Sequence, residues 1–430
     1  MAQATTIRTE LENYMELEAL NISQLGKISG LNPGTISSIL SGNKVIAVDQ
    51  LDRITTVMRL EHGHFYEQYI EECLVNAPLN WRRVRPFLYR CAELGKLNCI
   101  EKAVELLIDN LTYSPLLFET AEDFFQDNKR EAAAILYDVV ASSERRQHSE
   151  RLALCQYRLF SLRLGEDHSK NLQAAIQFEP FVERLDEIDQ LDALKDLANT
   201  YRSLRRWDKV EEVAKEMGRK AEILYSLYSG RTGRRREEQR QPSRPLFTYV
   251  ALADLFKASV FVEQGNYEKA LEHNYLYADF SWVKETDDKS NYWIAQFTEW
   301  AQANIYAIKL MSGDTSIISE YVAYIKSKEN EQLTAVLNLL KAANYYGYNI
   351  DDVIQQFDSE IQTFMLKQEP FGVYIQQVIA DQSASLLFEL GRYYLTNAKY
   401  NDGFDYLLAG LQKFLFINNQ ANVIKSVRLF

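Results

Sequence analysis

The sequence predicts an all-α chain in two parts, a small four-helix head and a long array of helical hairpins. Three observations predict it. Glycine and proline are scarce, 17 and 8 in 430 residues, whereas strand-rich folds need frequent turns built on them. Apolar residues recur at i, i+3 and i+4 through most of the chain, the period of a helix with one buried face. Aromatic residues are plentiful, 26 Tyr and 21 Phe, which suits many small contacts between helices. A chain this long exceeds one ordinary core, so more than one unit is expected.

Composition narrows the function. The net charge is −12, so bulk electrostatics do not attract nucleic acid, and any such contact must rest on a local motif. No run of about eighteen apolar residues is present. The first twenty residues carry Glu10, Glu12, Glu16 and Glu18 rather than a signal-peptide pattern. A cytoplasmic protein without a membrane span is expected. Cys73, Cys91, Cys99 and Cys155 form no CxxC pair and read as reduced, buried thiols. His62 and His64 flank Gly63 with no set of further ligands beside them, so no metal site is expected. P-loop, GxGxxG, GxSxG and HExxH motifs are absent from the sequence. Neither catalysis nor a cofactor is expected.

Within the head, residues 21–42 read NISQLGKISGLNPGTISSILSG. Leu25 and Ile28 mark one face of a short helix, and Gly30 suits a tight turn. Asn32 is placed as an N-cap with Pro33 at the first helical position. Ile36, Ile39 and Leu40 form the buried stripe of a second short helix, which Gly42 closes. An amphipathic helix over about Ile7–Leu20 precedes the pair, with Leu11, Met15 and Leu17 or Ala19 inward. Another follows, marked by Val48, Leu51, Ile54, Val57 and Met58. This spacing predicts a helix-turn-helix domain over 1–62. The DNA-contacting residues expected from it are Gln24, Lys27, Asn32, Gly34, Thr35, Ser37, Ser38 and Lys44. Small residues and hydroxyls permit close approach to phosphates and base edges. Residues 1–62 nevertheless hold five Lys/Arg against seven Asp/Glu, so one copy should bind DNA weakly and a dimer is needed. A head that contacts protein instead stays open.

A linker helix is expected within 63–80, over about Phe65–Leu74, and a repeat domain over 81–430. Its clearest units start near Leu191 (Ala198, Tyr201, Trp207, Val210), Ala251 (Gly265, Tyr267, Ala270) and Ala384 (Gly391, Tyr394, Gly403). Weaker ones start near Val84, Ser114, Arg151, Glu299 and Thr334. Small residues at helix crossings and aromatics between hairpins match the spacing of tetratricopeptide repeats, in a degenerate form. Such hairpins stack into a right-handed superhelix with a concave inner surface. Positions facing inward on the first helices include Arg85, Lys195, Asn199, Arg202, Ser259 and Arg392, with Asn304, Asn338 and Asn344 on further first helices. Of these, Lys195, Asn199, Arg202, Asn304, Asn338 and Arg392 are the expected peptide-binding set. Amides can pair with both groups of an extended backbone, and cations can hold a terminal carboxylate. Residues 229–245 carry six Arg, two Glu and no apolar stripe. They read as a mobile loop, either a basic arm or a plain linker.

Residues 21–60 resemble the XRE-type helix-turn-helix domains of bacterial regulators. Leu25-Gly26 stands where that family usually has Leu-Ala, while Gly30, Ile36-Ser37 and Ser41-Gly42 fall on the pattern. Joined to degenerate tetratricopeptide-like repeats, the whole chain resembles the peptide-pheromone receptors of Gram-positive bacteria, the RRNPP group. The resemblance implies a cytoplasmic homodimer that binds double-stranded DNA and is controlled by a short signalling peptide in the repeat groove. In that family inward-facing Asn clamps peptide backbone, and Asn199 fits the role best here. Two alternatives remain: a repeat scaffold that sequesters a protein partner, and an output-modifying relative such as a response-regulator phosphatase. The second carries a helical bundle where this chain has residues 21–42.

Overall fold

The computed structural model describes residues 6–145, 149–228, 242–328, 331–367 and 376–428, and their regular secondary structure is helical throughout. The chain divides into two compact units, Met1–Leu162 and Arg163–Phe430. No described helix is long and apolar enough to cross a membrane.

The first unit begins with α1 (Ile7–Leu17), α2 (Ile22–Ser29), α3 (Pro33–Leu40) and α4 (Val48–Val57). Their shared core is Ile7, Leu11, Leu25, Ile36, Ile39, Val48, Leu51 and Ile54, all buried. Asn21 and Gln24 form a reciprocal capping box at the start of α2. Gly30 ends α2 with φ +66°, and Arg53 donates to its carbonyl at 3.2 Å, so the turn is tied to α4. Two inward assignments are corrected. Of the alternatives Leu17 and Ala19, Leu17 is 82% exposed and Ala19 is exposed too, and Ile28 is 53% exposed. The buried stripe of α2 runs through Leu25, Gly26 and Ser29, and a helix turning about 100° per residue carries Ile28 off its edge. Ser29 occupies the inward place because its hydroxyl is satisfied by the Leu25 carbonyl at 2.7 Å.

A short helix α5 (Tyr66–Tyr69) continues as a π-helical turn over Ile70–Val75. Two hairpins follow, α6 (Trp81–Glu93) with α7 (Leu97–Glu105) and α8 (Ser114–Gln126) with α9 (Arg130–Ser143). Helix α10 (Glu150–Arg163) closes this part of the chain. All four cysteines are buried free thiols.

In the second unit, α11 (His168–Phe178) leads into the pair α12 (Glu187–Ser203) and α13 (Trp207–Tyr228). Next come α14 (Leu246–Glu263) with α15 (Tyr267–Ala278), then α16 (Asp288–Met311), α17 (Ile318–Lys326) and α18 (Gln332–Tyr346). Short α19 (Asp351–Gln356) and α20 (Asp358–Lys367) precede the closely packed pair α21 (Gln376–Thr396) and α22 (Tyr400–Phe416), with α23 (Gln420–Val427) last. A Cβ on Gly391 would come within 2.7 Å of Leu407 backbone, and one on Gly403 within 2.9 Å of Leu395 backbone. The small residues of that hairpin are therefore what lets its helices touch.

The hairpins share one turn. Gly95, Asn128, Arg205, Gly265 and Ala398 all have φ between +56° and +72°. In each case the next amide donates five residues back: Lys96 to Cys91, Lys129 to Phe124, Arg206 to Tyr201, Asn266 to Phe261 and Lys399 to Tyr394, at 2.8–2.9 Å. This is the left-handed helix cap that satisfies terminal carbonyls. At Asn128, Arg205 and Ala398 it forms without glycine.

The second unit also joins its ends. His168 N donates to the Ile417 carbonyl at 2.8 Å and Asn418 Nδ2 to Asp167 at 2.8 Å, while Asn419 Nδ2 ties the same turn to Asp381 of α21 at 2.7 Å.

Candidate peptide groove and candidate DNA-reading helix

The inner wall of the second unit is formed mainly by α12, α14, α16, α18 and α21. Each offers a polar face: Asn199 and Arg202 from α12, Ser259 and Glu263 from α14, Asn304 from α16, Asn338 and Lys341 from α18, Asp381 and Gln382 from α21. They enclose a cavity of about 410 Å³, with Phe256, Trp300, Leu252 and Met311 as its apolar surface. A second cavity of about 310 Å³ adjoins it. Arg205, Val262, Glu263, Met311, Asn338 and Lys341 border both, so the two cavities share a wall. Polar groups on an apolar lining are the usual build of a ligand pocket, and the volumes suit one.

Four of the six expected peptide-binding residues, Asn199, Arg202, Asn304 and Asn338, meet in the larger cavity. Arg392 lines the smaller one and pairs with Glu389 at 2.9 Å. Lys195 stands apart. Its ammonium is held by Asp192 at 3.1 Å and Asp196 at 3.3 Å, its side chain is 12% exposed, and it borders neither cavity. It braces α12. Asn344 is likewise structural: its Nδ2 donates to the Glu389 carbonyl and carboxylate, both at 2.8 Å, clasping α18 to α21. Arg85, in the first unit, pairs with Asp123 at 3.4 Å.

Hydrogen bonding separates the amides. Asn304 Nδ2 donates to Tyr277 Oη at 2.7 Å; that hydroxyl donates to Asn274, whose own Nδ2 donates to the Ala301 carbonyl at 3.0 Å. This buried relay fixes the Asn304 amide, and Asn304 lines the cavity. Asn199 and Asn338 line the cavity, and no described residue hydrogen-bonds to either side chain.

Of the segment read as a mobile loop, residues 229–241 lie outside the described residues, including Arg231, Arg234, Arg235, Arg236 and Arg240. The last four, 242–245, are described and fixed. Asp192 accepts from Ser243 N at 3.0 Å, from the Ser243 hydroxyl and from Tyr249 Oη at 2.6 Å. Burial opposes this carboxylate, but Lys195 and these donors outweigh burial and hold it below the ordinary range. Arg244 lies over the Trp293 ring, 4.2 Å from its centroid, and borders the cavity. Burial pushes its pKa down from the ordinary arginine value.

Lys341 was not among the expected residues. It lies within an apolar run of α18, with Leu339, Leu340, Ala342 and Ala343 buried around it. Burial disfavours its ammonium and Arg205 repels it, so its pKa falls below the ordinary lysine value; Glu389, Glu263 and Asp381 oppose the shift. A lone Lys three residues after Asn338, inside Ala335–Ala343, is the signal that could have found it. Arg205 follows α12 at its turn and faces Asp381 at 3.9 Å.

On the first unit, Gln24, Lys27, Asn32, Gly34, Ser37 and Lys44 are exposed, and Thr35 and Ser38 half-buried. Several are partly committed. Gln24 Oε1 accepts from Asn21 N at 2.9 Å, Asn32 Oδ1 accepts from Gly34 N at 2.8 Å, and the Ser38 hydroxyl donates to the Gly34 carbonyl at 2.8 Å. Gln24 Nε2, the Thr35 and Ser37 hydroxyls and both lysine ammoniums carry no described partner. Among the described residues no group of three or more His, Cys, Asp or Glu is placed to hold a metal ion. No family model matches the chain, and no curated protein matches it.

Proposed function

We propose that this protein is a transcriptional regulator whose helix-turn-helix head binds double-stranded DNA as a dimer, and whose tetratricopeptide-like superhelix takes a short signalling peptide. One observation carries the reading: Asn199, Asn304 and Asn338, on three inner helices, line one half-open cavity. An extended peptide has a donor and an acceptor at each residue, and amide side chains answer both. Charge-neutral clamps suit backbone rather than one side-chain chemistry. The head supports its part through the tight Gly30 turn, the capped α3 and the small face of exposed Gly34 and Ser37 with half-buried Thr35. Self-association is supported by the outer face of α22, where Tyr400 is 61%, Leu408 52% and Leu415 55% exposed.

A second reading has support of its own. Leu17 and Ile28 are apolar and exposed on the head, and α3 carries no Lys or Arg. Those features suit a head that docks on a protein, with the repeats as a scaffold. Capture of genomic fragments by the full-length protein separates the two. Enriched, dimer-spaced sites whose occupancy changes with added peptide support the regulator. No enriched site in either condition rejects it in favour of the scaffold.

A further inference from the structure

The cations bordering the cavities are not equivalent. Arg202 lies over the Phe256 ring at 5.5 Å, Arg244 over Trp293 at 4.2 Å, and Lys425 and Arg392 both face Glu389, at 3.6 and 2.9 Å. Arg205 has Asp381 at 3.9 Å. The Lys341 side chain alone of this set has no hydrogen bond, ion pair or ring contact with any described residue, and it borders both cavities. A half-buried ammonium without a partner is costly. A sequence that places one at the junction of two cavities, in an otherwise apolar helix run, holds a charge in reserve for an anion.

Two further features point the same way. Asn338 lies one helical turn before Lys341 on the same face of α18 and shares both cavities. Arg205 reaches this junction from the turn that follows α12 and borders both cavities beside Lys341. The wall also carries Glu263, Glu331 and Asp381. Those carboxylates disfavour a multiply charged anion and suit a single carboxylate flanked by neutral groups.

We propose that Lys341, with Arg205 beside it, is the subsite for the C-terminal carboxylate of a bound peptide whose backbone runs back past Asn338 and Asn304 toward Asn199. The proposal rests on the peptide reading of the cavity and gives it a direction. The ammonium donates charge-assisted hydrogen bonds to the carboxylate oxygens. A C-terminal amide has one acceptor and no charge, so it forfeits most of that interaction.

The test uses the full-length protein and two synthetic pools of randomised heptapeptides, identical except for a free or an amidated C-terminus. Retained peptides are identified by mass spectrometry and remade singly in both forms for calorimetry. The acid forms are expected to bind at least about tenfold more tightly than their amides. Lys341→Met should abolish that difference, and Lys341→Arg should retain part of it. Thermal melting of Lys341→Met, which loses an unpartnered charge, confirms that it is folded. Peptides that bind equally well in both forms overturn the carboxylate subsite and leave the peptide reading standing. Amide-pool peptides enriched in Asp or Glu move the carboxylate to a side chain and overturn the terminus. Sodium acetate that competes as strongly as the acid peptides assigns the site to small carboxylates, with the same result. No peptide retained from either pool overturns the peptide reading and the proposal together.

Discussion

Asn418 Nδ2 donates a 2.8 Å hydrogen bond to Asp167 Oδ2, joining residues 251 positions apart. The neighbouring main chain does the same through His168 and Ile417. The first and last helices of the second unit therefore hold each other. Asn418→Gly keeps the positive φ of 54° and removes only the side-chain bond. It should cost about 0.5–1 kcal/mol and speed amide exchange at residues 168–172 and 417–422. Exchange in α14 and α15 should stay as it was. Unchanged protection at the seam would mean that the side-chain bond contributes nothing to closure.

Lys341 gives a pH signature. Its folded pKa lies below the ordinary value of 10.5, so between the two the unfolded chain binds more protons than the folded one. Its contribution therefore makes stability rise with pH across that window. Lys341→Met should remove this rise and stabilise the protein at neutral pH by roughly 1–3 kcal/mol. Denaturant titrations at neutral and alkaline pH read both effects. A variant less stable than the parent at neutral pH would contradict the account of an unpartnered charge.

The shared turn predicts an inverted glycine effect. Ala398 is exposed with φ 61°, and a Cβ in the left-handed region costs about 1–2 kcal/mol. Ala398→Gly should therefore be neutral or stabilise by up to about 1 kcal/mol after the entropy of the freer unfolded chain is counted. Exposed alanines inside helices give the opposite sign on the same substitution. Equilibrium unfolding in urea would show which holds.

For the head, Thr35→Ala together with Ser38→Ala should abolish footprints on a captured site while leaving the melting transition within about 0.5 kcal/mol. Footprints that survive would remove α3 from the DNA-reading role. Salt dependence offers a second check. Lys27 and Lys44 are the exposed cations expected to meet DNA, so a dimer has about four such contacts and a slope of log affinity against log salt no steeper than roughly −4. A much steeper slope would bring other cations into the interface.

Much of this was legible in the residues. The cap at Asn32, the Gly30 turn and the close approach at Gly391 and Gly403 are local, and local chemistry is readable at fixed spacing. Asn199, Arg202, Asn304 and Asn338 were reachable because hairpin phase decides which face turns inward. Lys195 shared that phase but met Asp192 and Asp196, and ion pairing depends on neighbours that phase does not reveal. Ile28 was misplaced because two apolar positions do not locate the centre of a stripe when Gly26 and Ser29 are also buried. Lys341 and the joined ends were missed for a different reason. One needs the absence of a partner across the whole cavity, and the other a contact across most of the unit.

The recurring turn has a consequence for how the chain assembles. Each hairpin carries its own return, closed by a hydrogen bond five residues long, and helices of this size form on the order of microseconds or faster. Joining α11 to α23 requires closing a loop that spans nearly the whole second unit, which local order cannot accelerate in the same way. The hairpins are thus independent nuclei and the seam is a late event on the folding path. A newly made chain is then expected to complete its hairpins before its ends meet.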